Sequence, residues 1–139
     1  MGLSRRIAVL AGAAALVLPA TASASYSVGS QEQIAWVRRA ATNFVTAELA
    51  GNGAGACTIL TAPMRTTQHH RTCAERWNSK LAGILHRAGG RARLRTQEHA
   101  IAKAAVIVHG DVASIALPTP LIAGGSRFLW TENCWMLTG

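Results

Sequence analysis

The spacing of apolar residues changes from a helical period to a strand-like pattern close to residue 104, and this change limits the folds open to the chain. In the earlier part, apolar residues recur at the spacing of one buried helix face: Ile34, Val37, Ala41, Phe44, Val45 and Leu49. Later, short β-branched and apolar runs separated by turn residues predict four strands: 104–108, 112–117, 127–131 and 135–138. Helices followed by an antiparallel sheet predict the α+β class, with the N-terminal helices packed on the sheet.

Two capping boxes predict where the long helices begin. Ser30 with Gln33, and Thr72 with Glu75, have the spacing at which side chain and backbone satisfy each other's free hydrogen-bonding groups at a helix start. The basic segment 91–99 has no clear apolar period, so the sequence leaves it open between helix and strand.

The first 24 residues have the three parts of a cleavable export signal. Arg5 and Arg6 form a positive start, residues 7–18 are an apolar and glycine run, and residues 22–24 supply the small side chains that signal peptidase accepts. The alternative is a membrane anchor, but a spanning helix needs about 20 apolar residues, and this run is shorter. The sequence therefore predicts a signal peptide over residues 1–24 and a secreted or extracytoplasmic protein.

Behind the signal, the sequence predicts a short flexible lead over residues 25–29 and a single domain over residues 30–139. Loss of Arg5 and Arg6 with the signal leaves 12 basic residues against 6 acidic ones, so the exported part carries a formal charge of about +6. Such a charge favours polyanionic surroundings. A genome rich in G and C would also explain part of the arginine excess without any ligand.

Four arginines, Arg87, Arg91, Arg93 and Arg95, form the most basic part of the chain. The last three alternate, so on a strand they would share one face, whereas on a helix they would spread. They are candidates for contacts with cell-surface polyanions, and a solvated face is the alternative. No aromatic residues interleave with them, so the sequence gives no support to stacking on nucleic-acid bases.

The order of several short motifs resembles a known superfamily across nearly all of residues 30–139. The motifs, in chain order, are Gly51-Asn52-Gly53, Cys57, Leu60-Thr61, Cys73, the run Val106-Ile107-Val108-His109-Gly110-Asp111-Val112-Ala113, and Trp135. Together they resemble small exported actinobacterial proteins of the nuclear-transport-factor-two-like superfamily. The chain departs from that pattern in its closing turn, Glu132-Asn133-Cys134-Trp135 in place of Asp-Gly-x-Trp, and in having only four candidate strands.

This resemblance implies a cone-like fold, in which a curved antiparallel sheet wraps around a long helix and encloses a pocket. It does not imply an activity, because the superfamily includes isomerases, cyclases, dehydratases and proteins that only bind. Function must therefore be argued from the site.

The three cysteines predict one disulfide. Export to an oxidising compartment favours pairing, and Cys57 and Cys73, each placed by the sequence at the start of a helix, lie on either side of a short connection. The resemblance supports this pair. Cys134 is then left over, either as a buried thiol or as a cross-link between the chains of a dimer, and no neighbour in sequence would activate it as a nucleophile.

His99 and His109 are the weak catalytic candidates, since either could serve as a general base but neither has a visible partner. No His or Cys spacing typical of a metal site occurs, and the sequence predicts neither a metal nor a cofactor. The preferred interpretation is an exported, non-catalytic domain that binds a small ligand or a cell-envelope partner. The alternatives are a pocket enzyme of the isomerase or cyclase type and a basic module that binds cell-surface polyanions.

Overall fold

The structure, a computed structural model, describes residues 26–139, so the signal peptide predicted over residues 1–24 lies outside the described residues. The helices are α1 (Gln31–Leu49), α2 (Gly53–Cys57), α3 (Cys73–His86) and α4 (Gly90–Lys103), with a 3₁₀ helix at Ala62–Arg65. The strands are β1 (Val106–His109), β2 (Val112–Ile115), β3 (Arg127–Thr131) and β4 (Cys134–Thr138). The prediction of an α+β fold is confirmed.

Both predicted capping boxes begin helices. At the start of α1, the Ser30 hydroxyl accepts from the backbone N–H of Gln33 and the Gln33 side chain accepts from the N–H of Ser30, both at 3.1 Å. At the start of α3, the Glu75 carboxylate accepts from the N–H of Thr72 at 2.7 Å, and this bond lowers the pKa of Glu75. These contacts satisfy N–H groups that have no partner inside the helix.

The basic segment 91–99 lies in helix α4. The helix buries only Leu94 and Ile101 among its larger side chains, two turns apart, against the rest of the fold. Arg91 links α4 to the end of α1, because its Nη1 donates to the Leu49 carbonyl at 3.0 Å. Charged and small residues fill most of the remaining positions, which is why the apolar period is weak.

The four strands form one antiparallel sheet in the order β1-β2-β3-β4. Gly110 and Asp111 connect β1 to β2, with Gly110 at a φ of 57°. Glu132 and Asn133 connect β3 to β4, with φ angles of 52° and 58°. Positive φ at both central positions matches the right-handed twist of a hairpin and is accessible to Asn, but it is uncommon for Glu.

Short segments pair with both edges of the sheet. Val28 forms a parallel bridge with Ile107, and its N–H donates to the Val106 carbonyl at 2.7 Å. At the other edge, Leu60 bridges Leu137, with the Leu137 N–H donating to the Ile59 carbonyl at 2.7 Å. The segment ahead of α1 is therefore attached to β1, and the segment after α2 to β4.

Helix α1 contributes the largest share of the core. One face carries the buried residues Ile34, Val37, Ala41, Phe44, Val45 and Glu48, of which all but the last are apolar. This face shares one core cluster with inner side chains of the sheet, such as Phe128 and Leu137. Phe44 also makes an edge-to-face contact with Trp77 of α3, with ring centroids 5.3 Å apart. None of the described helices is long and apolar enough to cross a membrane.

The predicted disulfide between Cys57 and Cys73 is present. The two Cα atoms are 6.1 Å apart, and the bond joins residues separated by 16 positions. Cys57 is the last residue of α2, not near its start as the sequence indicates, whereas Cys73 is the first residue of α3. The bridge therefore fixes the end of α2 to the beginning of α3.

Helices α2 and α3 approach closely at Gly53, so replacement by alanine should affect stability differently at Gly53 and at Gly83. A Cβ at Gly53 would meet the backbone N of Asn78 at 2.6 Å and the carbonyl of Ala74 at 2.7 Å, whereas a Cβ at Gly83 on the same α3 would meet nothing within 4 Å. We expect Gly53→Ala to lower the free energy of unfolding by about 2 kcal/mol through overpacking. Gly83→Ala should raise it by about 0.5–1 kcal/mol, because alanine loses less entropy in a helix.

Urea unfolding of the two variants beside the original protein measures both effects. If Gly53→Ala proved as stable as Gly83→Ala, the close approach of α2 to α3 would be wrong.

Candidate binding site

A groove of about 300 Å³ lies between helix α1 and the edge of the sheet at β4. Its volume is at the lower end of the range for small-molecule sites, about 300–1,000 Å³. The lining comes from α1, from the segment after α2 and from the β3–β4 hairpin: Trp36, Arg39, Ala40, Asn43, Thr58, Ile59, Trp130, Asn133, Cys134, Trp135 and Met136. We call this space the tryptophan groove.

The tryptophan groove opens where the pairing of β4 with its neighbour ends. Backbone N–H and C=O groups alternate between the two edges of a strand, so those of Trp135 point to the same edge as those of Leu137. Leu137 pairs with the segment at Ile59 and Thr61, but within the described residues no such bond reaches Trp135. The chain just before Ile59 forms helix α2 and not a strand, so nothing pairs with Trp135 at this edge in the described residues. The space beside Trp135 is the groove.

Helix α1 supplies a second stripe of residues beside its core face. Trp36, Arg39, Ala40 and Asn43 follow the i, i+3, i+4, i+7 spacing of one helix face, and all four line the groove. Trp36 is 39% exposed. The same helix therefore supports the core with one stripe and forms a wall of the groove with the other.

Three tryptophans from three different elements form a continuous cluster. Trp36 of α1 stacks on Trp130 of β3, with ring centroids 5.5 Å apart and an interplanar angle of 10°. Trp130 in turn meets Trp135 of β4 at 5.5 Å and 63°. Both distances lie in the favourable range for aromatic pairs. The contacts hold the rings in place without a ligand, which limits the ordering cost of binding.

A smaller cavity of about 170 Å³ lies beside the same three tryptophans. Its remaining lining is polar and comes from Gln33, Gly110 and Asp111. The two cavities thus share an aromatic wall but differ in charge, because Arg39 lines the larger one and Asp111 the smaller one.

The polar groups of the tryptophan groove are few, and several have no partner. The indole Nε1 of Trp135 is buried without a hydrogen-bond partner in the described part of the chain. Asn43 and Asn133 lie exposed at the wall and the rim, respectively. Apolar walls with a small number of polar groups are typical of ligand sites.

Cys134 lies in the lining of the groove and is exposed, so the interpretation of this residue as a buried thiol is wrong. It is the first residue of β4, directly after the hairpin turn, and its Sγ lies 3.5 Å from the Thr131 carbonyl. Its exposure follows from the two-residue turn, which places it at the end of the sheet.

Neither histidine candidate lines either cavity of the tryptophan cluster. His99 is exposed on α4, and its Nδ1 is 2.7 Å from the carbonyl of Arg95, one helical turn earlier. His109 is exposed at the end of β1 and lines neither cavity of the tryptophan cluster. The structure therefore does not bring either imidazole to the groove.

The four candidate arginines are exposed but do not form one surface. Arg91 and Arg95 are one turn apart on α4, whereas Arg93 lies on another side of the helix. Arg87 follows α3 and lines a cavity of about 160 Å³ together with Arg93. The strand arrangement that would align the arginines does not occur, so the basic segment presents no single face.

One buried carboxyl lies away from the groove. Glu48 of α1 is 3% exposed, and its Oε2 has no hydrogen-bond partner in the described residues. Burial raises the pKa of Glu48 to about 7, although the nearby charges of Lys80 on α3 and Arg93 on α4 act in the opposite direction.

Within residues 26–139, no group of three or more His, Cys, Asp or Glu side chains could hold a metal ion. Comparison with protein families, with curated proteins and with solved structures found no match.

Sequence reasoning missed the tryptophan groove, although one signal for it was present. Trp36 falls outside the core stripe of α1, and Arg39 and Asn43 follow it at helical spacing. This signal is weak on its own, because single apolar residues are common on protein surfaces and only a contiguous patch indicates a binding surface. The partners Trp130 and Trp135 could not be placed opposite Trp36 without the register of the sheet.

Proposed function

We propose that this chain is an exported protein that binds a small ligand in the tryptophan groove without transforming it. The observation that carries the proposal is the preformed aromatic cluster of Trp36, Trp130 and Trp135 facing an open cavity. Exposed aromatic surface costs free energy in water, and an apolar ligand seated on it would recover that cost. Export itself rests on the signal peptide predicted over residues 1–24, and the Cys57–Cys73 bridge is compatible with it.

Binding is favoured over catalysis by the side chains in the groove. Its lining contains Arg, Asn and Thr but no imidazole or carboxylate, the groups that most often transfer protons in enzymes. The thiol of Cys134 has no basic neighbour among the lining residues other than Arg39. The isomerase or cyclase alternative would therefore need its acid or base from elsewhere.

We also propose that this chain belongs to the nuclear-transport-factor-two-like superfamily. In support, the long helix α1 packs on a four-stranded antiparallel sheet, and the groove lies between that helix and the sheet. The resemblance implies a pocket between a long helix and the sheet, and a cavity formed by these two elements supports the proposal.

Titration with phenylnaphthylamine, a neutral aromatic dye that fluoresces in apolar surroundings, tests the binding proposal. We expect saturable binding of one dye per chain, and we expect Trp36→Ala to weaken it about tenfold, because a central aromatic contact is lost. Trp36 is partly exposed on a capped helix, so the fold should survive the change. Tyr26→Ala is the matched control, since Tyr26 is a 79% exposed aromatic residue outside the groove.

A second measurement requires no substitution. In the oxidised protein Cys134 carries the free thiol of the described chain, so a bulky maleimide should react there and obstruct the groove. We expect the labelled protein to lose dye binding while its circular dichroism stays unchanged. If the labelled protein and Trp36→Ala both bound the dye as tightly as the unlabelled original protein, the groove would be refuted as the site.

A further inference from the structure

We propose that the ligand of the tryptophan groove is a small aromatic acid: a planar apolar body that rests against the tryptophans and an anionic group that pairs with Arg39. This inference rests on the proposed function and adds the chemical class of the ligand to it.

Arg39 is the charged side chain of the groove lining, and it is free. Its neighbour Arg38 is held by the fold, because the Nη2 of Arg38 donates to the Ala104 carbonyl at 2.8 Å. The guanidinium of Arg39, by contrast, makes no hydrogen bond or ion pair with any residue in the described range 26–139. A guanidinium offers two parallel N–H groups to a carboxylate or sulfonate, so a free one at an apolar wall is suited to an acid group.

Carboxylates near the groove do not neutralise Arg39. Glu132 is adjacent in sequence to the rim residue Asn133, but its Oε1 pairs with Arg65 at 3.3 Å. Asp111 lines the smaller cavity, which also contacts the tryptophan cluster. The larger cavity therefore carries a net positive charge, and an anionic ligand group is expected on the side of Arg39.

The charge of the lining also opposes the main alternative ligand class. Tryptophan faces attract cations, and aromatic cages often bind quaternary ammonium groups. A cation in this groove would approach Arg39 and meet no carboxylate in the lining of the larger cavity. Electrostatics thus select an anion, while the flat tryptophan surfaces select a planar body.

The neutral polar groups suit an acid as well. Asn43 and Asn133 each carry an amide that can donate to an anionic oxygen, and neither amide has a hydrogen-bond partner in the described structure. Asn43 follows Arg39 by four residues, so the two side chains lie on the same face of α1. The acid group would therefore meet one charged and one neutral donor from the same helix.

A matched pair of dyes tests the inference. Anilinonaphthalene sulfonate and phenylnaphthylamine share the same aromatic skeleton and differ in the sulfonate. We expect the sulfonate to bind about fivefold more tightly at low ionic strength, as for a partly exposed charge pair. The preference should decrease as salt is added, because salt screens the interaction with Arg39.

Arg39→Gln should abolish the preference, so that this variant binds the two dyes with equal affinity. Arg95→Gln is the matched control, because it removes the same charge from an exposed helical position outside the groove. It should keep the fivefold preference, which separates the local effect of Arg39 from the overall positive charge.

The outcomes distinguish this inference from the proposed function. The assignment of an aromatic acid as the ligand would be overturned if the original protein bound the two dyes equally well, or if the preference persisted in Arg39→Gln. Either result would leave the groove as a binding site. Dye binding that is insensitive to Trp36→Ala would overturn the proposed function itself.

Discussion

Replacement of both Cys57 and Cys73 by alanine is expected to lower the free energy of unfolding by about 3 kcal/mol. The bridge closes a loop of 16 positions, and in the chain-entropy account the loss of such a cross-link releases about this much conformational freedom in the unfolded chain. Alanine leaves no new polar group at these two buried positions. Urea unfolding followed by tryptophan fluorescence measures the difference.

A reducing agent provides the control for this expectation. It should destabilise the original protein and the Cys134→Ala variant by similar amounts, because both retain the bridge. The double alanine variant should not respond to it. A double variant that unfolds at the same urea concentration as the oxidised original protein would show that the bridge contributes little to stability.

The stability of the protein is expected to fall as the pH rises from about 4.5 to about 7. In the folded state the pKa of Glu48 is raised to about 7 by burial, against an ordinary value of 4.5. The folded protein therefore holds this proton more tightly than the unfolded chain does. The contribution is complete below pH 4.5 and is lost by the time the pH exceeds 7, and it amounts to about 3 kcal/mol.

Glu48→Gln should remove this dependence, because a neutral amide does not titrate. The matched control is Glu32→Gln, on the same helix but exposed. It should keep the decrease in stability that the original protein shows. The measurement is urea unfolding at a series of pH values between 4 and 8. A decrease that survives in Glu48→Gln would mean that another group is responsible.

The elements that begin with local signals could be predicted from the sequence. Ser30 and Thr72 place the starts of α1 and α3 because a capping box involves only residues three positions apart. The β1–β2 hairpin and the α+β order follow from equally local patterns. The Cys57–Cys73 pair could be predicted from the export signal and from the short connection between the two residues, and the resemblance supports it.

Features that depend on tertiary contacts could not be predicted in this way. The segment 91–99 is helical because Leu94 and Ile101 reach the core, yet two apolar residues do not make a period. Glu48 lies one turn beyond Phe44 on the core stripe, whereas the apolar spacing predicts Leu49 there, because a carboxylate is rarely buried. The tryptophan groove joins residues from α1, β3 and β4, and only the sheet register brings them together.

The division of α1 into two stripes also has a consequence for protein engineering. Positions 36, 39 and 43 form the wall of the groove but belong to no part of the core, which rests on the neighbouring stripe from Ile34 to Glu48. A library that varies these three positions could change what the groove accepts while the scaffold stays folded. The hairpin turn at Glu132 and Asn133 offers less freedom, because its positive φ angles restrict the residues that it tolerates. New specificities should therefore be sought on the helix and not on the turn.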